Sequence, residues 1–433
     1  MESRRCSPQI IRTWWNDLVK FGFKTLPSEE SSALAPTSNP NQAKSVEDFV
    51  AYDPYSGELG DLEHTVVDEL PCGYKTIRLE DETILEGTWR KGLREGKGLI
   101  RGGYLQIGPQ IQAITGIYRH GVLQGLGKVF LESGICLEGQ FRQGFLHGPV
   151  CGYNPRGSLV FVGCFDGGRP IGIAWKWLEG DGFLYGRLDR SGEFTGSNIA
   201  YLYPDLVTCL IGEFANGQLV QGRESKIQDA HMHKELLKLR FHEPRGPTFM
   251  LWKSTLTEIR VPPLQEDLYE KKYVEVRDSQ LPGAGDGLFA KVPLTQGATV
   301  AFYNGIRVRP NDTPPFQSRD YEIYVDWNKP GSKSDYMDLP PEFISIENYR
   351  ASLGHKINHS FAPNCAWDVV EHPVFGRIPR IVTLRDIEPN EELTCHYKID
   401  MEEAVLRDNL AWYVAQWGKL SQSMQDTQKM SEE

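Results

Sequence analysis

Two stretches near the C-terminal end hold the residue types that chemistry needs. Gly354-His355-Lys356-Ile357-Asn358-His359-Ser360-Phe361-Ala362-Pro363-Asn364-Cys365 sets Asn358, His359, Ser360 and Asn364 among apolar neighbours and closes on a Pro363-Asn364 turn. A polar turn in apolar surroundings is a binding device. Further on, Glu391-Glu392-Leu393-Thr394-Cys395-His396-Tyr397 reads as a strand that delivers Tyr397 near its end. Upstream, the loop Gly283-Ala284-Gly285-Asp286-Gly287 leads into Leu288-Phe289-Ala290-Lys291-Val292, a strand. A dinucleotide-binding fingerprint requires its glycine loop to open a helix, so that chemistry is excluded. The loop can instead bring backbone close to a cofactor. No GxSxG or comparable nucleophile motif supports a hydrolase.

The elements that must position these residues are short strands. Tyr273 to Val276 is a strand ahead of the glycine loop, and Arg380 to Leu384 joins Glu392 to Tyr397 through an acidic turn around Pro389-Asn390. Leu406, Leu410, Tyr413, Trp417 and Leu420 recur at spacings of four and three, which predicts one helix with a single apolar face. Residues 421–433 are expected to fray.

Taken in order, the glycine loop, Phe302-Tyr303-Asn304-Gly305, the NHSxxPNC stretch and the EELTxxY stretch resemble the core of SET-domain protein lysine methyltransferases, over roughly residues 268–400. The resemblance implies methyl transfer from S-adenosylmethionine to a lysine ε-amine, with no metal. It assigns Ala284, Gly285 and Asp286 to the cofactor loop, and Asn358 and His359 to the adenosine end with Lys356 nearby. Tyr397 falls at the methyl-transfer point, and Tyr303 both there and on the wall of the lysine channel. Trp412 and Gln416, on the C-terminal helix, come within reach of the cofactor. Trp367 and Ile399 stand where close relatives carry channel tyrosines, so two channel hydroxyls are lost and the number of methyls added does not transfer. Cys365 ends the motif, and no cysteine-rich segment follows Tyr397 to complete a zinc site.

From about Glu86 to Gly222 the chain repeats G-x-aromatic-x-x-G-x-x-x-G. The copies begin at Gly87 (with Trp89), Gly116 (Tyr118), Gly139 (Phe141) and Gly163 (Phe165), and degenerate ones follow at Gly186 and Gly212. First glycines fall 23 to 26 residues apart with one step of 29, the length of one β-hairpin and its connection. A lone hairpin is marginal, whereas stacked hairpins share a sheet, so a solenoid follows. These copies resemble MORN repeats, which implies a binding or scaffold module. The fold class is therefore mainly β: a MORN-repeat hairpin solenoid followed by a SET-domain β fold with a C-terminal helix.

The rest of the chain frames these modules. Its 433 residues allow two or three domains, with 40% hydrophobic and 11% aromatic residues. The expected organisation is a flexible segment with a short helix over 1–50, repeats over 80–223, a linker over 224–266, the SET domain over 268–400 and the helix over 401–422. The N-terminal helix carries Ile11, Trp14, Trp15, Leu18 and Phe21 at helical spacing and reads as a docking helix, with residues 25–46 a disordered linker. Within 224–266, Ile227 to Leu239 is expected to form a charged helix, on which His231 and His233 point to different faces and chelate poorly.

Eight scattered cysteines without a CxxC pair or a signal peptide read as a reduced, intracellular, metal-free chain. No apolar run is long enough to span a bilayer. A formal charge of -11 argues against a nucleic-acid surface and favours a basic protein partner. The combined architecture resembles the MORN-repeat branch of the SET family, which implies histone H3 as substrate, with non-histone proteins also open. It further implies a monomeric protein of the nucleus and chromosome, with a cytoplasmic location left open. The alternative is a catalytically impaired SET pseudoenzyme that acts as a MORN-repeat scaffold or binding protein.

Overall fold

The computed structural model describes residues 11–16, 72–79, 82–102, 111–233, 236–313, 316, 320–325, 334–407 and 410–432. The expected linker over 25–46 lies outside them. The chain is mainly β and divides into two compact units, Met1–Leu178 with Phe183–Thr248, and Glu179–Gly182 with Phe249–Glu433.

In the first unit, thirteen antiparallel strands from Gly73–Arg78 to Gln218–Ser225 lie side by side in sequence order, and Arg245–Phe249 adds a fourteenth. The repeat glycines explain the order. Lys91-Gly92, His120-Gly121, Gln143-Gly144 and Asn216-Gly217 are two-residue turns, flanked by directly paired residues such as Arg90 with Leu93 and Arg119 with Val122. Both residues of each turn have positive φ, 51° at Lys91 and 80° at Gly92, the primed geometry whose twist matches the flanking strands. The repeat aromatics Trp89, Tyr118, Phe141 and Phe165 share one buried cluster with Leu85, Ile100, Ile114 and Val129.

A second cluster surrounds Trp175, which is fully buried. Residues 11–16 are helical and bury Ile11, Trp14 and Trp15 in it, with the Trp14 ring 5.2 Å from Trp175 and the Trp15 ring 4.9 Å from Phe183. Leu18 and Phe21 lie outside the described residues. The other cover of this cluster corrects a sequence expectation. Ile227 to Leu239 is not a helix: Ile227–His233 and Leu236–Phe241 form an antiparallel hairpin. As strands they bury Leu236, Leu237 and Leu239, and their backbone meets buried polar groups. Trp175 Nε1 donates to the Leu237 carbonyl at 2.9 Å, and the Leu239 N–H donates to Tyr185 Oη at 2.8 Å. Tertiary contacts override the helical charge pattern. On a strand, His231 and His233 share a face rather than diverge; both are exposed, and His231 lies 3.4 Å from Asp229.

In the second unit one sheet runs Val274–Asp278, Asp286–Ala290, Glu392–Cys395, Cys365–His372, Gly376–Thr383, Thr299–Phe302, and Asn358–His359 pairs in parallel with Glu392–Cys395. A smaller sheet holds Ile306–Val308, Tyr336–Asp338 and Ile323–Tyr324. The core gathers Val274, Leu288, Val300, Ile357, Cys365, Ile381, Leu393 and Cys395.

The C-terminal segment also differs from expectation. It is two helices, Met401–Leu406 and Ala411–Glu432, with backbone turns from Arg407 to Ala404 and from Leu410 to Arg407 between them. Asp400 Oδ1 accepts the Glu402 N–H at 2.8 Å and starts the first helix. Leu406, read as part of the apolar face, is 85% exposed because the break puts it out of phase with Leu410 and Tyr413, which are buried. The second helix continues through residues expected to fray.

Candidate active site

The sheet brings the glycine loop, the NHSxxPNC stretch and the EELTxxY strand together through one buried carboxylate. Glu392 Oε1 accepts from Ser279 Oγ at 2.6 Å and from Asn358 Nδ2 at 3.1 Å, and Oε2 accepts the Gln280 N–H at 2.7 Å. Asn358 Nδ2 also reaches the Asp286 carbonyl at 2.9 Å. The approach is too tight for a side chain at Gly287, where a Cβ would lie 2.5 Å from Glu392 Oε1. The parallel bridge from Asn358 to Thr394 fixes the register, and Asn364 closes the turn. Its Nδ2 donates to the Glu392 carbonyl and its Oδ1 accepts the Thr394 N–H, both at 2.8 Å.

Around this frame the loop stays open. Ala284, Gly285 and Asp286 are exposed, φ is 76° at Gly283 and 71° at Gly285, and no atom of the described residues lies within 4 Å of where a Cβ would stand at either glycine. Lys356, buried to 8% exposure, holds Asp286 in an ion pair at 2.6 Å.

Tyr397 is fixed at both ends. Its N–H donates to His359 Nδ1 at 3.1 Å and its hydroxyl to the Ile357 carbonyl at 2.6 Å. Burial raises the phenol well above the usual tyrosine range, so it is neutral at physiological pH. His359 lies among the rings of Phe361, His396, Tyr397, Trp412 and Tyr413, with centroids 4.4 to 5.8 Å away. Burial, then the neighbouring His396, lowers its pKa to about 4. The ring is therefore neutral, and its buried Nε2 has no hydrogen-bond partner among the described residues. Trp412 packs against His359 and Tyr397 while remaining 40% exposed. Gln416 is half-buried one turn further on the same helix.

Tyr303 directly follows the edge strand Thr299–Phe302. Its N–H donates to the Pro379 carbonyl at 2.9 Å and its hydroxyl to the Tyr321 carbonyl at 2.6 Å. Burial and then Asp338 raise its pKa strongly. Trp367, paired across the strands with Ile381, packs edge-on against Tyr303 with ring centroids 5.9 Å apart. Ile399, partly buried, packs with Phe361, Leu410, Tyr413 and Val414. The residues that sequence reasoning did not single out are Ser279, Gln280 and Glu392. The signal was available for Glu392, an acidic residue at an inward position of a short apolar strand.

The chemistry of the donor set fits an amino-acid sulfonium nucleoside. The Asp286–Lys356 ion pair places a carboxylate and an ammonium at the loop, His359 Nε2 is a buried hydrogen-bonding group without a partner among the described residues, and Trp412 offers an aromatic face. Residues 285–398 match the SET domain family, and residues 165–237 match the family described as Histone H3 K4-specific methyltransferase SET7 N-terminal. The chain is 36% identical over 253 residues to Histone-lysine N-methyltransferase SETD7 of Halocynthia roretzi, covering 58% of this chain and 64% of that protein. It is 33% identical over 117 residues to an H3 lysine-4 specific histone-lysine N-methyltransferase of Emericella nidulans, covering 27% of this chain and 9% of that one. It is 38% identical over 116 residues to Histone-lysine N-methyltransferase TRX1 of Oryza sativa subsp. japonica, covering 26% and 11%. The chain thus spans under two thirds of the first relative's length and about a tenth of the others'.

Proposed function

We propose that this chain, whose residues 285–398 are a SET domain, is a protein-lysine N-methyltransferase that uses S-adenosylmethionine and acts on a basic protein such as a histone tail. The observation that carries the reading is the convergence on Glu392 and the Asn358 segment of the open glycine loop and the doubly anchored Tyr397. Ala284, Gly285, Asp286, Lys356, Asn358, His359, Trp412 and Gln416 are the residues that would hold the cofactor. When bound, it supplies an electrophilic methyl group on a sulfonium.

The chain's own residues supply alignment and a neutral amine. A free lysine with a pKa of about 10.4 is only about 0.1% neutral near pH 7.4. A channel walled by Tyr303, Trp367 and Tyr397 removes water from the ammonium and disfavours its charge. Both tyrosines donate their hydroxyl hydrogens to backbone carbonyls, Tyr321 and Ile357, so their positions are set before substrate arrives. A lysine whose nitrogen lies near attack distance then reacts without an enzyme-bound intermediate. Trp367, packed edge-on against Tyr303, narrows the channel beside it.

The formal charge of -11 suits a basic partner and not a nucleic-acid surface. Among the described residues no helix is long and apolar enough to cross a membrane. The histone-modifying relatives support a nuclear, chromatin-associated site of action. The test is to incubate the full chain with methyl-labelled S-adenosylmethionine and core histones, and to locate the label by mass spectrometry. Label on lysine is the expected result. Cofactor binding without label would favour an impaired enzyme acting as a repeat-based binding protein, and neither would refute the reading.

A further inference from the structure

The segment that carries Tyr303 and the segment that carries Lys356 and Asn358 are not partners in any sheet. Thr299–Phe302 pairs with Gly376–Thr383, and Asn358–His359 pairs with Glu392–Cys395. Yet their backbones touch: a Cβ at Gly354 would lie 2.5 Å from the Phe302 carbonyl oxygen. At this junction the backbone N–H groups of Phe302 and Leu353 point toward one shared acceptor. Both are taken by one side chain. Glu270, 1% exposed in the short helix Glu270–Tyr273, accepts the Phe302 N–H on Oε1 and the Leu353 N–H on both oxygens, at 3.0 Å on Oε2 and 3.2 Å on Oε1. Its neighbour Asp267 holds the helix start, accepting the Glu270 N–H at 3.0 Å, and lies 3.2 Å from His372 Nε2.

We propose that Glu270 is a positioning residue for methyl transfer, a buried strap that sets the spacing between Tyr303 and the cofactor wall. The inference rests on the methyltransferase reading. Each arm of the strap ends on the site. Phe302 is followed directly by Tyr303. Leu353 opens the turn Gly354–Lys356, whose Lys356 holds Asp286, and the next residue, Ile357, accepts the Tyr397 hydroxyl. A lesser strap joins the same two segments, the Asn304 N–H donating to Ser352 Oγ at 3.0 Å. The cofactor loop has its own bonds through Glu392, so loosening Glu270 misplaces the tyrosine side relative to the loop without dismantling the loop.

The test compares Glu270→Gln, Ser352→Ala and a control, Thr383→Val, in the full chain. Thr383 is equally buried and hydrogen-bonded, accepting the Ala298 N–H at 3.0 Å at the end of the strand that pairs with the Tyr303 segment, but it bonds neither Glu270 nor Leu353. Glu270→Gln keeps the shape and turns an amide N–H toward a backbone N–H. The expected result is kcat lowered about ten- to a hundredfold with the cofactor Kd within about threefold. Hydrogen exchange should also speed up together in peptides covering 299–305 and 350–358. Ser352→Ala should do the same on a smaller scale, about threefold in kcat, and decides the matter if Glu270→Gln does not fold. Thr383→Val should change neither readout. A folded Glu270→Gln with kcat within twofold of wild type, unchanged exchange in either peptide, or an equal kcat loss in Thr383→Val would overturn the proposal. If wild type transfers no methyl, the methyltransferase reading fails on its own. The exchange data then decide whether the strap exists: coupled acceleration upholds it and unchanged exchange overturns it.

Discussion

Glu392→Gln probes the point on which the candidate site converges. The substitution preserves shape and removes charge. If the amide oxygen keeps the contacts of Oε1 with Ser279 and Asn358, the amide nitrogen takes the place of Oε2, where the Gln280 N–H donates at 2.7 Å. A donor then faces a donor inside a site only 8% exposed. Losing a hydrogen bond to a charged group costs about 1.5–3 kcal/mol, and the stranded N–H adds to it, so the net cost is about 2–4 kcal/mol. The loss falls on residues 279–287, the loop that would hold the cofactor. Calorimetric titration with S-adenosylmethionine should show Kd weakened tenfold or more, about 1.4 kcal/mol per decade, and thermal unfolding should shift downward in parallel. Affinity within twofold of wild type in a variant of unchanged melting temperature would refute the assignment of Glu392 as the organiser of that loop.

Further outcomes follow from burial. His359 has a folded pKa of about 4, below the unfolded value of about 6.5. The stability tied to its neutral form is thus complete above about pH 6.5 and lost as pH falls to about 4, on the order of 3 kcal/mol. Urea unfolding at pH 7 and at pH 4.5 should show a smaller acid loss in His359→Asn than in wild type; equal losses would contradict the assignment. Trp14→Ala should destabilise the repeat unit by about 3–5 kcal/mol, since Trp14 is 4% exposed against Trp175, and a near-ultraviolet dichroism melt that does not move would refute the docking of residues 11–16. Gly354→Ala forces a Cβ to within 2.5 Å of the Phe302 carbonyl, and should cost about 1–3 kcal/mol in chemical denaturation; a neutral result would mean the two segments are not in backbone contact.

What could be read from the chain depended on how local the cause was. The turns at Lys91-Gly92 and Gln143-Gly144 need positive φ at adjacent residues, a demand that few residue pairs meet, so the repeat and its aromatic spacing were visible. Asn358, His359 and Tyr397 were visible as motif members; Asn358 reaches the glycine loop and Tyr397 bonds His359. The hairpin of Ile227–His233 and Leu236–Phe241 was not, because its charged outer residues follow a helical rhythm and its reason lies far away, in Trp175 and Tyr185. The split of the C-terminal helix escaped for a similar reason. Spacing alone put Leu406 with Leu410, and only the turn at Arg407 to Leu410 separates them. Glu270 lies outside every motif, and its two partners are 32 and 83 residues away in sequence.

The most direct measurement is the rate of methyl transfer to histone lysine by Tyr397→Phe beside wild type, with cofactor affinity measured on both. Removing the hydroxyl breaks the bond to the Ile357 carbonyl, a loss of about 1 kcal/mol in stability that leaves the fold intact. The account predicts transfer by wild type, a fall in kcat of at least about a hundredfold in the variant, and a cofactor Kd within a few fold. A variant that turns over like wild type would contradict the placement of Tyr397 at the reacting centre.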